Sequence, residues 1–393
     1  MTAELPSKSF KLIIKKRFAG EWGAEEGTSE VNIPCVRVAD FDRTRNVVSD
    51  DVPTIRSISK RTAKAKQLRN QDILIEKSGG GDKTPVGTPI LYLGSENAIC
   101  SNFIEVVRLR SGHDPRFWTY VLTSSYESGN TRRFINQTTG IQNIDSQRFY
   151  DQVFQVPALE SQQRMADYLD RETAEIDAAV ADLDRYVELL EKRRRVIIVD
   201  GFNDPVYNPV MQRLKFLTIS EDHRRIPIKS GDRVDMAGKY PYYGASGIID
   251  YVNDYLWDGE KRLILSEDGA NLVMRNHPVA FVADGQYWVN NHAHVLRCAD
   301  GIPPELVAMA IEVTSIAHLI TGSAQPKLTA AAMGEVEFMF PLSTADQRAL
   351  LETLRPEMHE IDSLIADSTR LRDLLLKRRS VLITEVVTGR KQV

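Results

Sequence analysis

Three groups of residues in this sequence have types and spacings that suggest chemistry. The first is Gly79-Gly80-Gly81-Asp82-Lys83-Thr84, which sets glycines beside a lysine and a hydroxyl. A phosphate-binding loop needs two glycines four residues apart directly before Lys-Ser/Thr, and it opens a helix. Here Pro85 follows, so the run reads as a flexible loop whose backbone can approach a ligand closely. The second is His292 and His294, which alternate along a strand-like segment and so share a face. No cysteine or acidic cluster lies nearby in sequence to complete a zinc site, and polar groups at the start of a strand are the simpler reading. The third is Glu267-Asp268, a possible base pair of acids, although exposed acids are usually solvated. The nucleophile pattern Gly-x-Ser-x-Gly and the metalloprotease pattern His-Glu-x-x-His are absent.

The elements that must position these loops are set out by a long repeat. Val156–Ile198 is echoed by Phe340–Ile383. Both copies open with proline (Pro157, Pro341). Both then give Gln-Arg (Gln163-Arg164, Gln347-Arg348), Ile-Asp (Ile176-Asp177, Ile361-Asp362), Leu-Leu (Leu189-Leu190, Leu374-Leu375) and Lys-Arg-Arg (Lys192–Arg194, Lys377–Arg379). Leu169, Ile176, Leu183, Leu190 and Ile197 recur every seven residues, a heptad seam. The second copy carries a looser stripe at Leu350, Leu354, Ile361, Ile365, Leu371, Leu375 and Leu382. Aligned on Gln-Arg, it gains one residue between Gln347 and Ile361, a stretch holding Pro356, where a bend is expected. Gly201 and Gly389 are placed to end the two helices. A lone helix with one apolar stripe cannot bury it, so the two are expected to pair antiparallel.

Composition narrows the class. The chain has 393 residues, 42% hydrophobic and 26% charged, with a net charge of −4, ordinary values for a globular protein with room for two cores. Its opening, MTAELPSKSFKLII, lacks the apolar core and cleavage site of a signal peptide. Three distant cysteines (Cys35, Cys100, Cys298) suit a reducing cytoplasm. The net charge argues against a protein that grips DNA alone by bulk charge. The basic residues are nevertheless concentrated: Arg56–Arg69 holds six bases and no acid.

The repeat extends beyond the helices. Asp72–Gly79 (DILIEKSG) answers Arg262–Gly269, Ser101–Arg108 answers Asn290–Arg297, and Thr138–Ile144 answers Thr321–Leu328. Strands are expected at Asp72–Ile75, Ile90–Leu93 and Phe103–Leu109, a helix at Arg116–Tyr126, and a polar loop at Thr138–Asp145. The fold class is therefore α+β: two similar mixed domains and a long antiparallel two-helix coiled coil, related by an internal pseudo-twofold repeat. The boundaries are residues 1–156 for the first domain, 157–200 for the first long helix, 201–340 for the second domain and 341–389 for the second helix. Asn203-Asp204-Pro205-Val206-Tyr207 is only superficially like the Asn/Asp-Pro-Pro-Tyr loop of amino-methyltransferases. It lacks the second proline and any nearby glycine-rich signature for S-adenosylmethionine.

Taken in order, the paired helices, the ending Val386-Val387-Thr388-Gly389, and PYYGASG, SEDGAN, WVNNHAHVL and GSAQPKL in the second half resemble the specificity subunits of type I restriction–modification enzymes over nearly the whole chain. The resemblance implies two target-recognition domains, each reading half of a split, asymmetric site in double-stranded DNA. It implies a coiled coil that holds them apart, with Leu169, Ile176, Leu183, Leu190, Ile361, Ile365, Leu375 and Leu382 in its seam. It further implies two modification (methyltransferase) subunits that carry S-adenosylmethionine, restriction subunits that carry ATP, and no catalysis or cofactor in this chain. Loops rich in Asn, Gln, Ser, Tyr and Lys suit base-edge and phosphate contacts. On that basis the candidate DNA contacts are Lys77, Ser78, Gly79, Thr138, Thr139 and Gln142 in the first domain. In the second they are Tyr242, Tyr243, Ser246, Ser266, Asp268, Gly269, Asn290, Asn291, His292, Ser323, Gln325 and Lys327. Two other classes stay open at this point: a self-contained DNA methyltransferase or nuclease, and a coiled-coil adaptor that binds only protein.

Overall fold

A computed structural model of the chain describes residues 6–49, 51–94, 97–138, 140–322 and 324–393. It divides into two compact units, residues 1–184 with 369–393 and residues 185–368. Each unit holds one strand-rich domain and one stretch of each long helix.

In the first unit, alternate and continuous apolar runs build a six-stranded sheet. Its order is Ile14–Ala19, Ile104–Leu109, Ile73–Glu76, Pro89–Leu91, Val47–Val48, Phe41–Asp42. The middle strand Ile73–Glu76 is buried on both faces and pairs antiparallel with Ile104–Leu109, Leu74 opposite Val106. The helix Pro115–Glu127 covers one face. Asp114 caps it by accepting from the N–H groups of Arg116 and Phe117, and Pro115 fits the first turn because no partner is needed there. Its Phe117, Trp118, Val121 and Leu122 pack against Ile73, Ile75 and Val107. The expected polar loop at Thr138–Asp145 is instead part of a hairpin. Ile135–Thr138 pairs with Ile141–Ile144, and the latter pairs in turn with Ser78–Gly79. Gly140 supplies the positive φ (+84°) that the tight turn requires.

The second unit repeats this plan. Arg262–Ser266 lies between Ala293–Cys298 and Ala280–Ala283, with Thr218–Ser220 outermost. Ile264 faces Val295 and Ser266 faces Ala293, as Leu74 faces Val106 and Glu76 faces Ile104. The helix Pro304–Val313 takes the covering position and buries Leu306, Val307, Ala310 and Ile311. A second four-stranded sheet runs in the order Gly247–Val252, Ala237–Gly244, Gln286–Val289, Trp257–Asp258.

The long helices run Leu159–Asn203 and Thr344–Val387. They are antiparallel. In the first unit Asp177 pairs with Arg379 and Asp184 with Arg372. In the second, Arg193 pairs with Glu357 and Arg194 with Asp362. Leu169, Ile176 and Val180 pack with Leu382, Ile383 and Val386, and Leu375 lies partly buried beside them. Leu190 and Ile198 share a core with Leu350, Leu354, Met358 and Ile361, with Ile365 at its margin. Leu183 is half-buried.

Three expectations about the helices are corrected. Leu371 is exposed; the buried line descends through Ile361, Ser368 and Leu382, with Leu375 half-buried, so a serine occupies a seam position that an apolar count passes over. Gly201 does not end its helix, which continues to Asn203. A Cβ there would sit 3.1 Å from side-chain carbons of Leu350 and Leu354, so the glycine permits a close helix approach. Gly389, with φ +72°, does lie just past the end of the second helix.

The third correction concerns the extra residue of the second copy. Gln162 and Gln347 are both buried, and each donates its side-chain amide to a preceding proline carbonyl, Pro157 O at 2.8 Å and Pro341 O at 2.9 Å. Gln162, not Gln163, is therefore the counterpart of Gln347. From Gln162 to Ile176 and from Gln347 to Ile361 the spacing is the same, and the added residue lies in the loop before the helix. Pro356 sits on an exposed face of a helix that continues through it.

Candidate nucleic-acid interface

In each unit the central strand ends where three loops meet. Residues 71–80 and 261–270 have the same order of burial, an exposed residue, five buried, three half-buried and one exposed. The apolar strand is held inside, and the tripeptides Lys77-Ser78-Gly79 and Glu267-Asp268-Gly269 emerge at the surface. The N–H of Lys77 donates to Phe103 O, and that of Glu267 to His292 O. The N–H of Ile144 donates to Lys77 O, and that of Leu328 to Glu267 O. The same backbone bonds thus join the strand end to the loop before the neighbouring strand and to the third loop. Gly79 and Gly269 both have φ near +100° (+114° and +103°), a conformation that turns the chain away from the sheet and favours glycine.

The side chains at these junctions differ between the units. In the first, Ser78 Oγ donates to Asn143 Oδ1 at 2.7 Å. Gln142 is buried and accepts from the Val86 N–H, which assigns it to holding the hairpin. Glu76, just before the tripeptide, is buried against Arg43 at 2.7 Å. Burial pushes its carboxyl above the usual range, and Arg43 offsets this only in part. A cavity of about 600 Å³ opens beside it, with Trp22, Arg37, Ser78, Gly79, Asn102 and Phe103 in its lining.

In the second unit the junction is an ionic network. Glu267 takes Arg225 at 2.6 Å and Lys327 at 3.1 Å. His292 Nδ1 lies 2.9 Å from Asp268. His294 Nδ1 lies 2.6 Å from Asp222, and its Nε2 lies 2.9 Å from the Leu328 carbonyl. Burial alone would raise the carboxyls of Asp222 and Glu267. Hydrogen bonds from His294 and the Val295 N–H to Asp222, and from Arg225 and Lys327 to Glu267, outweigh it, so both lie below the usual range. A carboxylate so stabilised is a poor general base.

The two histidines do not share a face. His292 precedes the strand and is exposed, whereas His294 is buried. The fold also brings Asp222 and Glu267 around His294, with ligand atoms all within 4.8 Å of one another, a grouping invisible in the local sequence. Arg225 and Lys327 already neutralise Glu267, so this trio reads as an ion-pair network that fixes loops.

The candidate contacts fall into three groups. Lys77, Ser78, Gly79, Tyr243, Ser246, Asp268, Gly269, Asn291, His292, Gln325 and Lys327 are exposed or half-buried around the strand ends. Tyr242, Ser266 and Asn290, like Gln142, are buried. The Tyr242 hydroxyl accepts from the Ile228 N–H, Ser266 donates to Ala245 O, and Asn290 Oδ1 accepts from the His292 N–H. These four shape the loops from beneath. Thr139 and Ser323 lie outside the described residues, and only the backbone of Thr138 is described.

Sequence reasoning passed over Ser101, Asn102 and Phe103, which stand where Asn290, Asn291 and His292 stand in the second domain. The signal was present, since the repeat already aligned the two stretches. It also passed over Trp22, Arg37 and Arg225, for which the local sequence holds no pattern.

Two α+β domains with matching loop clusters, together with an antiparallel helix pair, define a duplicated architecture. The chain belongs to the type I restriction–modification specificity family: the family described as type I restriction modification DNA specificity domain matches it twice, at residues 26–181 and 216–361. A putative type I restriction enzyme specificity subunit of Haemophilus influenzae, S.HindORF215P, is 32% identical over 120 residues. That match spans 30% of this chain and 30% of the relative. A structure from work on complex assembly and conformational transition of the type I R-M system shares the fold over 98% of both chains, with a TM-score of 0.66 at 12% identity. The HsdS subunit of Thermoanaerobacter tengcongensis aligns over 99% of this chain and 98% of its own at 12% identity, with a TM-score of 0.46. Among the described residues, no helix is long and apolar enough to cross a membrane.

Proposed function

We propose that this chain is the DNA-reading subunit of a type I restriction–modification enzyme, with each domain reading one half of a bipartite, asymmetric site in double-stranded DNA. The observation that carries this is the duplicated loop cluster. The same backbone bonds present Lys77–Gly79 with Ser101–Phe103, and Glu267–Gly269 with Asn290–His292, while the side chains differ. One scaffold with two sets of polar groups suits two different half-sites, because base edges are told apart by donor and acceptor pattern. The helix pair sets the spacing between half-sites and docks two modification subunits, which carry S-adenosylmethionine. Restriction subunits carrying ATP join that assembly in the cytoplasm. The chain itself binds no cofactor and catalyses no step. Its own residues position the duplex so that a partner can act.

The test is retention of duplex by the chain assembled with its modification subunits. A bipartite duplex, its sequence taken from methylation mapping in cells that carry both subunits, is expected to be held, and a scrambled one released. Methyl transfer or cleavage by the chain alone would defeat this reading, as would equal retention of the two duplexes.

A further inference from the structure

The basic stretch noted in the sequence has a defined place in the fold. Its residues split into two roles. Arg56 and Lys66 turn inward: Arg56 donates to Trp22 O and Gly23 O and lies over the Trp22 ring at 4.5 Å, and Lys66 donates to Ala19 O. The other four, Lys60, Arg61, Lys64 and Arg69, are exposed. The first three lie on the helix Lys60–Lys66, which abuts the edge strand Ile14–Ala19 of the six-stranded sheet. Lys16 on that strand donates to Ala65 O at 3.2 Å, and Lys15 beside it is exposed. Two elements therefore form one surface carrying Lys16, Lys60, Arg61 and Lys64. Among the described residues none of these four forms an ion pair with an acidic side chain; Glu30 accepts the Lys60 backbone N–H.

Two observations point this surface at DNA. The edge strand runs on into Trp22 and the basic stretch begins at Arg56. These two residues stack on each other, and Trp22 lines the cavity beside Ser78 and Gly79. The surface is thus contiguous with the candidate reading loops of its own domain. In addition, the stretch at the same point in the chain order of the second domain carries the opposite charge, on strands rather than on a helix. Residues 247–261, which lead into its central strand, hold Asp250, Asp254, Asp258 and Glu260 against Lys261. Asp250 is paired with Arg233 and Glu260 with Arg224 and Arg262, so that stretch offers no cluster of cations without acidic partners such as the first domain gathers.

We propose that the surface formed by strand Ile14–Ala19 and helix Lys60–Lys66 binds the phosphate backbone of the duplex beside the half-site read by the first domain. This rests on the DNA-reading function proposed above. Electrostatic, sequence-independent anchoring then resides in the first domain, and the second contributes mainly polar contacts.

The experiment uses the full chain and a random-sequence duplex, which reports phosphate binding without base readout. Each phosphate neutralised contributes about 0.9 to the slope of log affinity against log salt. The triple variant Lys60→Gln, Arg61→Gln, Lys64→Gln is expected to lower that slope by about 2 to 3. The charge-conserving triple Lys60→Arg, Arg61→Lys, Lys64→Arg is expected to keep it. Preference for a bipartite site over a scrambled one is expected to persist in both. A Gln variant with the wild-type slope overturns the phosphate surface and leaves the reading function intact, as does a wild-type chain that discriminates the bipartite site yet does not hold the random duplex. A wild-type assembly without discrimination overturns the reading function itself.

Discussion

Arg379 Nε donates to Asp177 Oδ1 at 2.9 Å across the two long helices, and the arginine side chain is 5% exposed. Its Nη1 reaches Asn46 Oδ1 at 3.4 Å, tying the helix pair to the first domain. Burial pushes the Asp177 carboxyl up, and Arg379 offsets this only in part. Removing one member of a buried pair leaves the other charge uncompensated, at a cost of about 3–5 kcal/mol. Arg379→Leu is expected to destabilise the chain by about 3 kcal/mol in chemical denaturation, and Asp177→Leu added to it should recover most of that loss. A double variant no more stable than the single one would mean that packing, not charge, is what Arg379 supplies.

Gln162 and Gln347 occupy equivalent places with unequal partners. Gln162 Oε1 accepts from the Asp114 N–H at 3.0 Å and from Trp118 Nε1 at 3.1 Å, whereas Gln347 Oε1 is buried without a partner among the described residues. Each buried group left unpaired costs about 1–3 kcal/mol. Gln162→Met is expected to cost about 3 kcal/mol and Gln347→Met about 1 kcal/mol. Thermal unfolding of the two variants checks the difference.

Gly201 is a contact site in mid-helix. Gly201→Ala gains about 1 kcal/mol of helix propensity and crowds Leu350 and Leu354, so its net effect is expected to be small. Gly201→Leu adds volume to a filled interface and is expected to cost about 2 kcal/mol. Equal stability of the two variants would show that the helices separate freely there.

The acids of the second domain set an acid limit. Asp222 and Glu267 have folded values below their unfolded ones. Their contribution is complete above the unfolded carboxyl range, about pH 4, and is lost as pH falls through the lowered folded values. Glu267→Gln is expected to reduce stability at neutral pH and to flatten its decline below about pH 4. Denaturation midpoints across that range test this; an unchanged decline would place the acid sensitivity elsewhere.

Base readout should respond one domain at a time. Asn291→Ala or Gln325→Ala is expected to relax one half-site and Asn102→Ala the other, each by about 1–3 kcal/mol of discrimination. Equal weakening at both half-sites would count against two independent readers. Deleting seven residues from each long helix removes about 10 Å of helix, or about three base pairs at 3.4 Å per step. The tolerated gap between half-sites should shorten accordingly, as methylation mapping would reveal.

Much of this was legible in the chain itself. Heptad spacing placed Leu169, Ile176 and Leu382 in the helix seam because a 3.6-residue turn leaves few ways to bury such a stripe. The order DILIEKSG then SNFIEVVR, repeated as RLILSEDG then NNHAHVLR, marked the equivalent strand-and-loop segments of the two domains; which strands pair was left to the fold, where a slip of one residue would turn the apolar set outward. Other features depended on contacts distant in sequence. Leu371 is as apolar as its neighbours, yet Ser368 holds the seam, because helix phase against a partner decides which face is covered. Tyr242, Ser266, Asn290 and Gln142 are polar residues in polar segments, and only the packed structure shows that their hydrogen bonds are taken by their own domain. Asp222 meets His294 across 72 residues of chain, and Trp22 meets Arg56 across 34. Local sequence specifies which segments are helix, strand or turn through periodicity and propensity. Which polar groups remain free to meet a ligand is decided by tertiary packing, because burial and hydrogen-bond partners are properties of neighbours that the local sequence does not contain.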